Sequence, residues 1–187
     1  LFIAANNLSG AEGTIFSVVR YGNVLGSRGS VLPLFQKLLA QGATTLPITD
    51  PRMTRFWILL EEGVEFVIRC LADMQGGETF VPKIPSTTIP ELAKALDEEV
   101  ALETIGIRVG EKLHEVMIVE ADAPNTLEFD DRYIIKPTGV MKYRERVYTV
   151  DGKEGRPVAD DFTYSSETNH EVLNQEDLRE KIAQAGK

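Results

Sequence analysis

The side chains with the best claim to chemistry are an asparagine, a glycine-flanked arginine and three arginines beside turns. Asn23 stands in Tyr21-Gly22-Asn23-Val24, at the end of a β-branched and aromatic run that begins at Thr14. On a strand, Tyr21 and Asn23 share one face and Arg20 and Gly22 the other. The Asn23 amide can donate to a phosphate or sugar oxygen, and in open α/β sheets ligands bind beyond the carboxyl ends of the strands. The same amide serves equally well as a loop cap. Gly26-Ser27-Arg28-Gly29-Ser30 follows and opens a helical pattern. Glycines permit close backbone approach, a helix N-terminus offers free N–H groups to an anion, and Arg28 adds a two-pronged donor. A plain turn also accounts for the segment, which has neither the Walker spacing nor the dinucleotide fingerprint. Arg52, Arg55 and Arg108 would grip a pyrophosphate if they converged; singly, each reads as a solvated surface residue. The pairs Glu61-Glu62 and Asp130-Asp131 are adjacent in sequence and read as solvated faces. His114-Glu115 lacks the second histidine of a metalloprotease helix.

These residues need strands and helices to hold them. Leu1 to Asn7 reads as a helix end that stops at Leu8-Ser9-Gly10. Thr14 to Val24 reads as one strand. Ser30 is the expected N-cap of a helix over Val31 to Ala40, with Gly42 closing it. Arg55 to Ile58 predicts a short strand, Glu61 to Met74 a helix with Val64, Val67, Ile68 and Leu71 on one face, and Thr79 to Lys83 a strand. Thr88-Ile89-Pro90-Glu91 has capping-box spacing before Leu92 to Leu96. A strand over Leu102 to Ile107 and a helix around Lys112 to Ile118 follow. Thr126 to Phe129 and Arg132 to Lys136 predict a strand pair, residues 138–163 the least structured stretch, and Asn174 the start of a last helix. Strand–helix alternation predicts an α/β fold.

Composition narrows the function classes. The chain has 187 residues, 43% of them apolar, enough to bury a core, and a net charge of -9 with its acids scattered. That argues against a nucleic-acid or anionic-membrane surface, which needs clustered Lys and Arg. No apolar run reaches the roughly 20 residues of a membrane span, and the cytoplasm is the expected compartment. Cys70, the only cysteine, and two histidines make a structural thiol the expectation and argue against a zinc site.

Taken together, Val19-Arg20-Tyr21-Gly22-Asn23-Val24-Leu25-Gly26-Ser27-Arg28-Gly29-Ser30-Val31-Leu32-Pro33 resembles the extended short-chain dehydrogenase/reductases that act on nucleotide sugars. Leu46 to Trp57, Phe80 to Ser86 and Gly110-Glu111-Lys112-Leu113-His114-Glu115 narrow the resemblance to the inverting UDP-N-acetylglucosamine 4,6-dehydratases of pseudaminic-acid and capsular polysaccharide synthesis. The resemblance implies the carboxy-terminal part of a Rossmann-type fold plus a smaller α/β substrate-binding lobe: residues 1–30 the tail of the Rossmann domain, 31–137 the lobe, 138–187 an extension. It implies NADP beside Tyr21 and Val24, and a UDP-sugar held by Asn23, Arg28, Gly29, Ser30, Val31, Leu32, Thr45, Pro47, Arg55, Arg108 and Asn169, with Arg55 and Arg108 on the diphosphate. A homo-oligomer is implied for the whole enzyme.

The family's chemistry removes hydride from sugar C4, eliminates water across C5 and C6, and returns the hydride to C6. Its Tyr-x-x-x-Lys motif does not occur in this chain. The resemblance places it, the elimination residues and the glycine-rich cofactor loop upstream of Leu1, so no catalytic residue is expected here. A fragment of this kind is expected to be inactive, with a cleft that lacks one wall. A retaining dehydratase, a 4-epimerase and a non-catalytic nucleotide-sugar-binding module are the alternatives.

Overall fold

The computed structural model describes residues 1–8, 13–138 and 146–186. In chain order the elements are α1 (Phe2–Ala5), β1 (Val18–Val19), β2 (Asn23–Val24), α2 (Val31–Ala40), β3 (Thr45–Ile48), β4 (Thr54–Ile58), α3 (Leu60–Asp73), β5 (Thr79–Pro82), β6 (Ser86–Thr88), α4 (Ile89–Leu96), β7 (Ala101–Thr104) and β8 (Val116–Ile118). A 3-10 turn, Glu120–Asn125, precedes β9 (Thr126–Glu128), β10 (Arg132–Ile135), β11 (Thr149–Val150), β12 (Lys153–Glu154), β13 (Arg156–Pro157), β14 (Tyr164–Ser165) and α5 (Gln175–Ala185). The fold is mixed α/β, with parallel pairing in several sheets.

The chain divides into two compact units. The first comprises Leu1–Tyr21, Val64–Lys83 and Met117–Tyr164. Its sheet runs β1-β5-β10-β9-β13, parallel between β1 and β5 and antiparallel elsewhere. Phe66, Cys70, Phe80, Phe129, Ile134, Tyr148 and Val150 form its core. On α3 it is Phe66 and Cys70 that are buried, whereas Val64, Val67, Ile68 and Leu71 are 42–68% exposed.

The second unit comprises Gly22–Gly63, Ile84–Val116 and Ser165–Lys187. It holds the sheet β2-β4-β6 and the parallel pair β3-β7. Its core gathers Leu32 and Phe35 of α2, Leu46 and Ile48 of β3, Trp57 of β4, Leu92 of α4 and Leu178 of α5. The helix starts follow the sequence signals. Thr88 Oγ1 accepts the Glu91 amide at 3.2 Å, and the Asn174 side chain accepts the amides of Glu176 and Asp177, so both helices are capped as their sequences require.

Three expectations fail. The strand from Thr14 to Val24 is not continuous: Val18 and Val19 pair with β5, whereas Asn23 and Val24 pair with β4. Between them lies Gly22, where a Cβ would stand 2.5 Å from Phe56 Cβ, closer than packed atoms allow. No helix forms at Lys112 to Ile118. The carbonyls of Lys112 and Leu113 are taken by the Arg55 guanidinium, and Leu113 O also accepts the Thr54 amide at 3.2 Å, so those acceptors are unavailable to a helical ladder. Residues 149–157 are more ordered than their composition suggests, forming β11, β12 and β13 around a turn with positive φ at Asp151 and Gly152. Of the helix stop at Leu8-Ser9-Gly10, Ser9 and Gly10 lie outside the described residues, as do 139–145 of the stretch 138–163.

Candidate functional site

The second unit contains a cavity of about 200 Å³, bordered by Asn23, Ser30, Val31, Pro47, Arg55 and Trp57, with Ile48, Thr49, Met53, Ile89 and Glu111 completing its walls. Three elements aim at it. The two-residue strand β2 begins with Asn23, whose register partner on parallel β4 is Trp57. On β4, period-two alternation sets Arg55 and Trp57 on one face. The helix α2 begins at Val31 after Ser30, which has an extended N-cap backbone (φ -79°, ψ 171°) but makes no side-chain cap bond. The free N–H groups of that first turn therefore border the hollow and favour an anion. Ser30 Oγ and Trp57 Nε1 are both buried and have no hydrogen-bond partner among the described residues, which is unusual for groups that cost free energy when left unpaired.

Arg55 supplies the positive charge. It is 9% exposed, and Nη1 donates to the carbonyls of Thr54 (2.7 Å) and Leu113 (3.0 Å) while Nη2 donates to Lys112 O (2.8 Å). Its nearest carboxylate, Glu115 Oε1, stands 3.5 Å from Nε. Carbonyls orient the guanidinium without cancelling its charge, so an anion entering the cavity meets a cation held in place. The loop that Arg55 holds carries Arg108 and Glu111. The Arg108 amide donates to Glu111 Oε2 at 3.2 Å, the Glu111 amide to Arg108 O at 3.0 Å, and Thr49 Oγ1 lies 3.4 Å from Glu111 Oε1. This turn fixes Glu111 at the cavity wall and keeps the exposed Arg108 three residues away on the same loop.

Of the residues singled out in the sequence, Asn23, Ser30, Val31, Pro47 and Arg55 border this cavity. Thr45 is exposed on β3, two residues from Pro47. Arg28 is exposed in the turn before α2, and Gly29 beside it has φ 79° with no atom within 4 Å of its Cβ position. Leu32 is 1% exposed and belongs to the core. Val24 is half-buried beside Asn23, and Tyr21 is 44% exposed in the connection after β1. Asn169 does not border the cavity: its Nδ2 donates to Ile84 O (3.0 Å), Glu171 O (2.9 Å) and Ser86 Oγ (3.3 Å). Arg52 closes on its neighbour Asp50 through two side-chain bonds of 3.0 and 2.8 Å. Trp57 and Glu111 are wall residues that the sequence reading did not single out. The alternation Arg55-Phe56-Trp57 carried the signal for the first, and a carboxylate three residues after Arg108 carried it for the second.

The first unit has a larger hollow, about 440 Å³, near Arg69, Asp131, Glu128, Lys153 and Arg156. Its cations are already paired, Arg69 with Asp131 at 3.1 Å, Lys153 with Asp130 at 2.6 Å and Arg156 with Glu128 at 3.6 Å. Size favours this hollow, but the smaller cavity brings Asn23, the start of α2 and Arg55 together and is the better ligand site.

A short parallel strand carrying a polar side chain beside a helix N-terminus, in a mixed α/β framework, fits the Rossmann-type extended short-chain dehydrogenase/reductases. The chain belongs to the family described as polysaccharide biosynthesis protein, whose model matches residues 1–137. It is 50% identical over 184 residues to the UDP-N-acetylglucosamine 4,6-dehydratase (inverting) of Campylobacter jejuni, covering 97% of this chain and 55% of that protein. It is 36% identical over 187 residues to the UDP-glucose 4-epimerase of Rickettsia canadensis, covering 53% of it. The X-ray structure of Pen from Bacillus thuringiensis superposes with a TM-score of 0.82 at 28% identity, over 99% of this chain and 55% of that one. The chain thus spans about half the length of the curated relatives it matches. Among the described residues, no helix is long and apolar enough to cross a membrane.

Proposed function

We propose that this chain is the substrate-binding half of an inverting UDP-N-acetylglucosamine 4,6-dehydratase, and that the cavity beside Asn23 and Arg55 receives part of the UDP moiety. One observation carries the reading: Asn23, the α2 N-terminus and Arg55 border a single hollow, with Arg55 held there by three bonds to carbonyls and one ion pair at 3.5 Å. At about 200 Å³ the hollow is smaller than the pockets of roughly 300–1,000 Å³ that enclose whole small ligands. It suits a diphosphate or one ring, with the remainder of a nucleotide sugar lying outside it. In this reading Arg55 and Arg108 hold the diphosphate, Asn23 and the turn from Arg28 to Leu32 orient it, and Thr45 to Pro47 flank the base. Asn169 supports the strand β6 that borders β4. The sequence blocks 1–30, 31–137 and 138–187 correspond to Rossmann tail, substrate lobe and extension.

NADP belongs to the same reading, as do a cytoplasmic setting and assembly of the whole enzyme as a homo-oligomer. Val24 offers an apolar surface next to Asn23, which suits a nicotinamide face, and Tyr21 offers an exposed ring; the bound cofactor would supply the hydride acceptor and donor. What these residues themselves do is bind and orient. The chain has no Tyr-x-x-x-Lys, so proton transfer at the sugar is left to residues outside it. The higher identity to the dehydratase than to the epimerase, 50% against 36%, favours elimination over epimerisation.

Calorimetric titration of the chain with UDP and with UDP-N-acetylglucosamine tests the binding claim. The sequence alone leads to the expectation that neither ligand binds a chain whose cleft lacks one wall; because every residue bordering the cavity belongs to one compact unit, UDP should bind without that wall. Arg108→Ala should weaken it by about 1.5–3 kcal/mol. Absence of UDP binding, or binding indifferent to Arg108, would overturn the assignment. For the whole enzyme, product analysis should show loss of water and inversion at C5; a C4 epimer with no water lost would sink the dehydratase reading.

A further inference from the structure

We infer that Thr54 is a positioning residue for the cavity, and that its hydroxyl rather than its bulk fixes the loop carrying Arg108 and Glu111. The inference rests on the reading of that cavity as the UDP site. Thr54 precedes Arg55 on β4 and so projects to the opposite face of the strand; it does not border the hollow. Its Oγ1 lies 2.8 Å from His114 Nδ1 and 2.7 Å from Ser166 Oγ. One hydroxyl therefore joins three segments distant in sequence: β4, the loop ending at Glu115, and the stretch after β14.

The surrounding bonds show what the junction secures. Ser166 Oγ accepts the Glu115 amide at 2.9 Å and lies 3.2 Å from Thr54 O, while the Ser166 amide donates to Glu115 O at 2.8 Å. His114 Nε2 stands 3.5 Å from Glu167 Oε1. Ser166 is 3% exposed, so few solvent contacts can replace these bonds. When Ser166 donates its hydroxyl proton to Thr54 Oγ1, Thr54 donates its own to His114 Nδ1, and each hydroxyl proton in the relay has an acceptor. The loop is thus tied at its far end by Thr54 and Ser166 and along its middle by Arg55. Arg55 is oriented by the same carbonyls, Leu113 and Lys112, that Thr54 and His114 hold in place. Releasing the hydroxyl frees the loop and with it the cation and carboxylate at the cavity wall.

Thr54→Val keeps the side chain's shape and removes the hydroxyl; Thr54→Ser keeps the hydroxyl and removes a methyl. Hydrogen–deuterium exchange and UDP calorimetry are read on the full chain, with the emission of Trp57, the only tryptophan, reporting the cavity wall. The valine variant should exchange the Glu111 and Glu115 amides about tenfold faster, bind UDP about tenfold more weakly and shift Trp57 emission, while the serine variant matches wild type in all three. Unchanged exchange in the valine variant overturns the inference. So does exchange raised uniformly along the chain with a lowered unfolding midpoint, which would mark a merely structural hydroxyl. If wild type takes up no UDP, the reading of the cavity falls, while loop exchange in the two variants still decides the role of Thr54.

Discussion

Two buried arginines, one in each compact unit, are treated in opposite ways. Arg132 is 2% exposed and is closed off by carboxylates: Nη1 meets Asp73 at 2.8 Å, and Nε and Nη2 meet Asp131 at 2.9 and 3.0 Å. Its guanidinium also lies 5.3 Å from the Phe66 ring centroid. Burial works against both charges, but the bonds and attraction between Arg132 and Asp131 outweigh it, so the carboxyl titrates below its ordinary range and the guanidinium above its own. Arg55, in contrast, is oriented mainly by backbone carbonyls and has its nearest carboxylate at 3.5 Å. One arginine is an electrically satisfied strut. The other is held mainly by carbonyls with a single longer ion pair, and it borders a hollow.

The largest effect is expected from breaking the strut. Arg132→Ala takes the partner from Asp73 and leaves Asp131 with Arg69; the two carboxylates are 27% and 39% exposed and can relax towards water. The cost should fall at the low end for a broken buried pair, about 3 kcal/mol, seen as a lowered unfolding midpoint in denaturant. UDP affinity should stay within about twofold. Because Asp131 is held below its ordinary value, its contribution to stability is present above that value and lost as acid carries the pH below it, and Arg132→Ala should flatten this acid limb. Next comes Arg55→Met, which keeps the stem and removes the charge. UDP binding should weaken by about 2 kcal/mol, with the loss shrinking in high salt as the charge is screened. Equal losses of UDP affinity in both variants would erase the contrast between strut and site.

That contrast was only partly legible in the sequence. Periodicity and capping found α2, β4, α3, α4 and α5, because those signals are local and tertiary packing reinforces them. The resemblance around Asn23 and Arg55 marked residues that do border one cavity. What stayed hidden was decided by contacts remote in sequence. Asp131 reads as half of a solvated pair until β10 carries Arg132 back beside α3 and Asp73. Lys112 to Ile118 reads as a helix until Arg55, 57 and 58 residues earlier in the chain, takes two of its carbonyls. The apolar face Val64, Val67, Ile68 and Leu71 was correctly periodic, yet it is exposed, since periodicity gives a helix and not the identity of what covers it.

A smaller, pH-limited effect should come from Cys70, which packs beside the strut with its Sγ 3.8 Å from Arg132 Nη1. Burial pushes its thiol up to about 12, although Arg132 pulls the other way. The folded chain therefore keeps the proton where the unfolded chain, near its ordinary value of about 8.5, releases it. The stability this group contributes is intact below that ordinary value and is lost as pH rises towards 12. Cys70→Ala should lower stability at neutral pH through its small cavity but lessen the fall above pH 9. Alkylation of native Cys70 by iodoacetamide at pH 8 should be slow compared with the unfolded chain, since the reactive form is the thiolate. Fast native alkylation would mean that the strut's surroundings open readily.

The smallest effect separates Arg55 from its near neighbour. Arg52 lies three residues earlier, in the same Pro-Arg-Met-Thr-Arg stretch, and reads equally well as a phosphate ligand from sequence alone. Its side chain is 71% exposed and bonds Asp50 two residues away. These bonds hold the Asp50 carboxyl near 2, so the pair stays ionised down to acid pH and forms a local turn clasp whose arginine faces water. Exposed pairs of this kind contribute little because solvent already stabilises each charge. Arg52→Ala should leave UDP affinity within about twofold and the unfolding midpoint nearly unchanged, with a loss confined, if measurable, to pH above the ordinary carboxylate range and vanishing as Asp50 protonates. A tenfold loss of UDP affinity in this variant would place another arginine at the ligand and erase the distinction between Arg52 and Arg55.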